Sequence, residues 1–193
     1  MDVDGPLPQT NFGNRFNLAI NYYFTKWPEA YAITKHEAET ISRKLVEEWI
    51  PRFGVMQHLH TDQGREFESK ILKTMCKMLG VNKTRTTSYH PQSDGLVERC
   101  NRTLKDMLDK HVNSSQNGLD VWIPHVLYVY RTAVHASTGV SPYRMFYGRE
   151  TRIPWTYYLK VLPHLMRSQP MFPLIFRKWK ECLSVRKIWP EWS

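Results

Sequence analysis

The chain has 193 residues, 41% of them hydrophobic and 13% aromatic, enough to bury a core and to exclude global disorder. No apolar run reaches the roughly 18 residues of a membrane helix, no signal-peptide pattern opens the chain, and three scattered cysteines (Cys76, Cys100, Cys182) encode neither a disulfide framework nor a thiolate zinc site. A formal charge of +9 favours a polyanionic partner; residues 152–193 hold 8 Lys or Arg against 2 Glu, and the residues before them 19 against 16 acids, which marks a boundary between a nearly balanced domain and a basic tail.

Asp2 sits on a first short strand. Phe16 to Phe24 and Glu29 to Ile33, rich in aromatic and apolar residues, read as two strands joined by a turn at Trp27 and Pro28. Thr34 and Glu37 have the spacing of a capping box, and Ala38, Ile41, Leu45 and Trp49 then recur on one face of a helix that Pro51 and Gly54 are expected to stop. Met56 to Thr61 alternates as a strand ending at Asp62, with His58 and His60 on one face, where the absence of a third ligand at suitable spacing favours a structural role over a metal site. A helix from about Phe67 puts Ile71, Leu72, Met75 and Leu79 on one side and stops at Gly80. Asn82 to Tyr89 is a strand, and after His90 and Pro91 a long helix from about Ser93 to Val112 turns Val97, Cys100, Leu104 and Met107 or Leu108 to the core. Beyond a polar loop at residues 113–118, Asp120 caps a helix with Trp122, Val126, Leu127 and Tyr130, and Ser141 with Pro142 begins a last short helix that Gly148 ends. Strands first and then strands alternating with helices indicate an α/β domain of mixed sheet. The cysteines Cys76 and Cys100 lie on apolar stripes and belong to the core.

Three carboxylates stand where elements end or begin: Asp2, Asp62, and Glu98 in the first turns of the long helix, with 35 residues between the last two. Hard divalent cations take oxygen ligands and keep positions open for water and phosphate, so acids on adjacent strand ends and a helix suit a pair of Mg²⁺ ions. Two such ions ~4 Å apart activate an attacking oxygen and stabilise a leaving one in phosphoryl transfer.

The segments LHTDQGREFES (59–69), KTRTTSYHPQSDGLVERCNRTL (83–104), GPLPQTNFGNRF (5–16) and FTKWPEAYAI (24–33) resemble the integrase core of Ty3/gypsy-type retrotransposons, over Met1 to about Pro154. The resemblance implies a ribonuclease H-like fold with a mixed five-stranded sheet flanked by helices, its first strand truncated in this chain. It also implies two Mg²⁺ or Mn²⁺ ions and a two-step reaction on DNA, 3′-end processing by water followed by strand transfer by the new 3′-hydroxyl. A fragment of a Pol polyprotein, homo-oligomeric when complete and acting in the nucleus without a membrane, is the expectation. Carried over onto this chain, Asp2, Asp62 and Glu98 match the catalytic metal ligands, and Gln92, Ser93 and Asp94 the loop that contacts the ends of the DNA. Arg102 and Lys105 stand at i+4 and i+7 from Glu98, on the same helix face, and present cations to phosphate. Asp4 shares a strand face with Asp2 and could compete for the ion.

The resulting division is an integrase core over 1–154 and a basic, aromatic-rich tail of unrecognised origin over 155–193. A rival of a different class stays open, a catalytically weak, transposon-derived nucleic-acid-binding domain. A nuclease acting on RNA and DNA hybrids is disfavoured, because the segment from His90 to Asn101 matches integrases specifically.

Overall fold

Alternation of apolar residues builds the sheet. In the computed structural model, which describes residues 1–85, 102–103, 105–108 and 119–152, β1 (Asp2–Asp4), β2 (Phe16–Asn21) and β3 (Pro28–Ile33) form an antiparallel ladder. Asp2 faces Ala19 and Asp4 faces Asn17, while Leu18 faces Tyr31 and Phe16 faces Ile33. β4 (His58–Thr61) runs parallel to β5 (Asn82–Arg85). These make two ladders, β1-β2-β3 and β4-β5, and the Met1 nitrogen donates to the His60 carbonyl at 2.9 Å, which brings the start of β1 to the end of β4.

Period two then sorts the faces. Leu18, Ile20, Ile33 and Leu59 enter a core with Ile41, Leu45, Trp49, Phe67, Leu72 and Cys76, so one face is covered by α1 (Ala38–Lys44) and α3 (Lys70–Met78). Asp2, Asp4, Asn17, Ala19 and Ala30 take the other face by register. A further helix, α4 (Leu119–Thr132), packs on β3, and its Asp120 accepts from Asn14 Nδ2 at 2.7 Å. Residues Met1–Glu150 make one compact unit and Thr151–Ser193 a second.

Several element ends differ from the sequence expectation. The β2–β3 turn lies at Tyr22–Lys26, where Tyr22 N–H donates to Trp27 O and Lys26 takes a φ of 59°, so Pro28 starts a strand instead of ending a turn. The first helix begins at Ala38 with Glu37 as an N-cap that makes no side-chain bond, so the capping box does not form. Pro51 does not stop it either. A π turn (Leu45–Trp49), in which Ile50 N–H reaches back to Leu45 O, leads into α2 (Ile50–Phe53), with Pro51 in the first turn of that segment where its missing N–H costs little. Gly54, at φ 77°, makes the stop. α3 starts three residues later than expected because Ser69 caps it, accepting from Leu72 N–H at 3.3 Å, while the buried Phe67 anchors the turn before it. Helix α5 (Pro142–Tyr147) follows the expectation: Ser141 Oγ accepts from Arg144 N–H, Pro142 opens the first turn, and Gly148 closes the last one at φ 71°.

Candidate active site

The site is assembled by the ends of β1 and β4. Leu59 and Thr61 are buried, so His58 and His60 alternate to the opposite side, and Asp62 follows in their phase just past the strand. Thr61 Oγ1 donates to the Asp62 carbonyl at 2.9 Å and closes the strand end. The chain then turns sharply: Asp62 Oδ1 accepts from Gly64 N–H at 3.1 Å, and Phe67 and Glu68 donate back to Gly64 O. A Cβ at Gly64 would lie 2.7 Å from Glu66 Oε1 and 3.1 Å from Asp62 Oδ1, so a larger residue here would push the flexible Glu66 side chain away from Asp62.

Asp2, one strand over, lies near enough for its charge to be felt at Asp62. Partial burial pushes the Asp62 carboxyl above its ordinary value, and the negative charges of Asp2 and Glu66 push the same way, against the Gly64 N–H and the terminal ammonium. Two carboxylates that repel each other at neighbouring strand ends form an oxygen-rich position that a hard cation would relieve. Asp2 Oδ1 also accepts from Val3 N–H at 2.8 Å, and His60 Nδ1 meets Thr84 Oγ1 at 3.0 Å across the β4–β5 ladder.

Of the residues singled out in the sequence, the structure therefore brings Asp2 and Asp62 together. Glu98, Gln92, Ser93 and Asp94 lie outside the described residues, as does Cys100, and among the described residues no three His, Cys, Asp or Glu side chains are arranged to hold a metal. Arg102 is helical and exposed. Lys105 is helical and bound: its ammonium is 3.3 Å from Asp4 Oδ1. Met107 and Leu108, one of which the sequence places on the core stripe of the same helix, are both buried.

Two neighbours of the site escape the sequence reading. Glu66 comes to Asp62 only because the turn through Gly64 folds back, and the signal for that is the Asp-x-Gly spacing. Glu68 pairs with Lys73 and with Lys83, each at 2.8 Å, and ties the loop after Asp62 to α3 and β5.

Comparisons with known proteins place the chain among recognisable relatives. The family model described as the TnsB C-terminal domain matches residues 30–114. The retrovirus-related Pol polyprotein from transposon 412 of Drosophila melanogaster is 29% identical over 154 residues, 80% of this chain and 12% of that protein. The Pol polyprotein of radiation murine leukemia virus (strain Kaplan) is 38% identical over 141 residues, 71% of this chain and 24% of the relative. Among solved structures, the catalytic core domain of BIV integrase superposes with a TM-score of 0.59 at 26% identity, covering 76% of this chain and 90% of that one. The chain belongs to the integrase superfamily. A chain of the simian T-cell lymphotropic virus intasome, solved in complex with PP2A regulatory subunit B56 gamma, matches with a TM-score of 0.63 at 21% identity over 79% of this chain and 54% of that chain, a likeness of fold. This integrase-superfamily chain thus has the ribonuclease H-like fold, with antiparallel (β1-β2-β3) and parallel (β4-β5) strand pairs, and it spans only a small part of the Pol polyproteins it matches.

Proposed function

We propose that residues 1–154 are the catalytic core of a gypsy-type retrotransposon integrase, a piece of a Pol polyprotein that processes DNA 3′ ends and joins them to target DNA in the nucleus, as a homo-oligomer. The observation that carries this reading is the approach of Asp2 to Asp62 on adjacent strand ends, within a chain of the integrase superfamily. Asp2, Asp62 and Glu98 would hold two Mg²⁺ or Mn²⁺ ions. Such ions, when bound, activate the attacking oxygen and neutralise charge on the leaving one. The donor set fits, being carboxylate oxygens, and burial first and then the nearby charges of Asp2 and Glu66 already disfavour ionised Asp62.

The remaining work falls to the chain. In the first step water attacks a phosphodiester near the DNA end, a P–O bond forms as another breaks, and a free 3′-hydroxyl remains. In the second step that hydroxyl attacks a target phosphodiester, again with one P–O bond formed and one broken, so no external energy source is needed. Gln92, Ser93 and Asp94 would position the end of the DNA, with Arg102 placing phosphate, while the Lys105 ammonium, 3.3 Å from Asp4 Oδ1, would reach phosphate only on leaving that carboxylate.

The rival, a DNA-binding domain of transposon origin with little catalysis, draws on the charge of +9. A strand-transfer assay with a labelled, recessed DNA end separates the two. The integrase reading expects Mg²⁺- or Mn²⁺-dependent joined products that Asp62→Asn and Glu98→Gln eliminate. DNA binding with equal background joining by parent and variants would favour the rival.

A further inference from the structure

Asp2 and Asp4 occupy the same side of β1, two residues apart, and Glu98, Arg102 and Lys105 recur at helical spacing. The structure shows where one of those cations goes. Lys105 Nζ stands 3.3 Å from Asp4 Oδ1; the carboxylate side chain is 12% exposed and the lysine 49%. Asp4 is held by the β1–β2 ladder opposite Asn17, which is fully buried and has no side-chain hydrogen-bond partner among the described residues.

We propose that Asp4 is an internal counter-ion that competes with DNA phosphate for the Lys105 ammonium, so that this helix face binds DNA more weakly than its row of cations suggests. The inference rests on the DNA-binding reading above. Lysine has a long flexible stem and can leave for a phosphate, but Asp4 is fixed in the ladder and cannot follow it into water. Each such exchange strips a mostly buried carboxylate of this positive partner, which offsets what the phosphate gains. A cation that is already neutralised internally also releases less of the DNA counterion atmosphere when it binds, so Lys105 adds little to the salt dependence of binding while Asp4 is charged.

The test is a double-mutant cycle on the full chain. A fluorescent duplex of arbitrary sequence is titrated in EDTA, which keeps the carboxylate cluster free of metal, at several NaCl concentrations. The parent and Lys105→Ala are expected to share one slope of log K against log salt. Asp4→Asn should bind more tightly and steepen the slope by about 0.9, one phosphate contact. Asp4→Asn with Lys105→Ala should return to the parent slope. That last arm excludes a general field effect of removing one negative charge, which would survive without Lys105. Circular dichroism checks folding, and Asp4→Val, apolar and suited to a strand, serves as a second neutral variant if Asp4→Asn unfolds. Equal slopes for the parent and both Asp4 variants would overturn the counter-ion role while leaving DNA binding intact, as would a slope already flattened by about 0.9 in Lys105→Ala alone. Absence of salt-dependent binding in every variant would overturn the DNA reading and this inference together.

Discussion

At Asp62 the fold holds a carboxylate where its charge is disfavoured, partly desolvated and facing the negative Asp2 and Glu66. Groups arranged against folding stability in this way mark sites kept for function. Asp62→Asn keeps the shape and the acceptor for Gly64 N–H while removing the repulsion. Its melting temperature at neutral pH is therefore expected to equal or exceed the parent's, whereas Mg²⁺ should raise the melting temperature of the parent alone. Thermal melts with and without Mg²⁺ check both halves. Glu68 behaves in the opposite sense. Hydrogen bonds from Lys73 and Lys83 hold its carboxyl down at about 2, against an ordinary 4.5. A depressed carboxyl stabilises the fold above its unfolded value and loses that contribution as pH falls from about 4.5 toward about 2. Glu68→Gln should accordingly flatten the acid limb of stability over that interval and leave the neutral range with little pH dependence from this group, as urea melts at successive pH values would show.

Elements were legible where they rest on periodicity and less so where they rest on partners far away in the chain. Ile41, Leu45 and Trp49 are all buried as their spacing demands, and Ser141, Pro142 and Gly148 bound the last helix as their chemistry demands. The π turn before Pro51 was hidden, because inserting one residue into a turn leaves the apolar spacing nearly unchanged. In the site, Asp62 could be named from its motif and its spacing to Glu98, and Asp2 from the family resemblance, but the Asp4–Lys105 pair joins residues about a hundred positions apart and no local pattern announces it. The same holds for Glu29 on β3, which reads as a polar interruption in an apolar strand. Its side chain, 3% exposed, accepts from Trp27 Nε1 at 2.8 Å, from Arg131 at 2.7 Å and from Arg52 at 2.9 Å. Arg131 also donates twice to Pro28 O and lies 4.2 Å over the Trp27 ring, so one guanidinium ties α4 to the edge of the sheet. Removing it leaves a buried carboxylate short of charge, and Arg131→Leu should cost about 3 kcal/mol. Arg52, 48% exposed, contributes less, and Arg52→Leu should cost about 1 kcal/mol or below. Similar costs for the two arginines in urea unfolding would contradict this ranking.

Across the whole molecule, charge and chemistry are distributed unequally. The carboxylates assigned to metal lie before residue 99, while residues 152–193 carry 8 of the 27 basic groups. With the proposed boundary at Pro154, deleting residues 155–193 is expected to leave the cooperative unfolding of the core unchanged and to lower non-specific DNA affinity most strongly at low salt. A large drop in core stability would place the boundary elsewhere. The central claim, that Asp2, Asp62 and Glu98 form a metal-dependent centre for DNA transesterification, is tested most directly on a branched DNA that mimics the joined product. By microscopic reversibility a centre that joins a 3′-hydroxyl to a target strand also resolves that branch, with the same bonds exchanged and with less dependence on the sequence of the element's own ends. The account predicts that the chain releases the labelled end in Mg²⁺ or Mn²⁺, that EDTA stops the release, and that Asp2→Asn, Asp62→Asn and Glu98→Gln each abolish it while remaining folded. Metal-dependent resolution that persists undiminished in any of these three variants, or none by the parent with either ion, would contradict it.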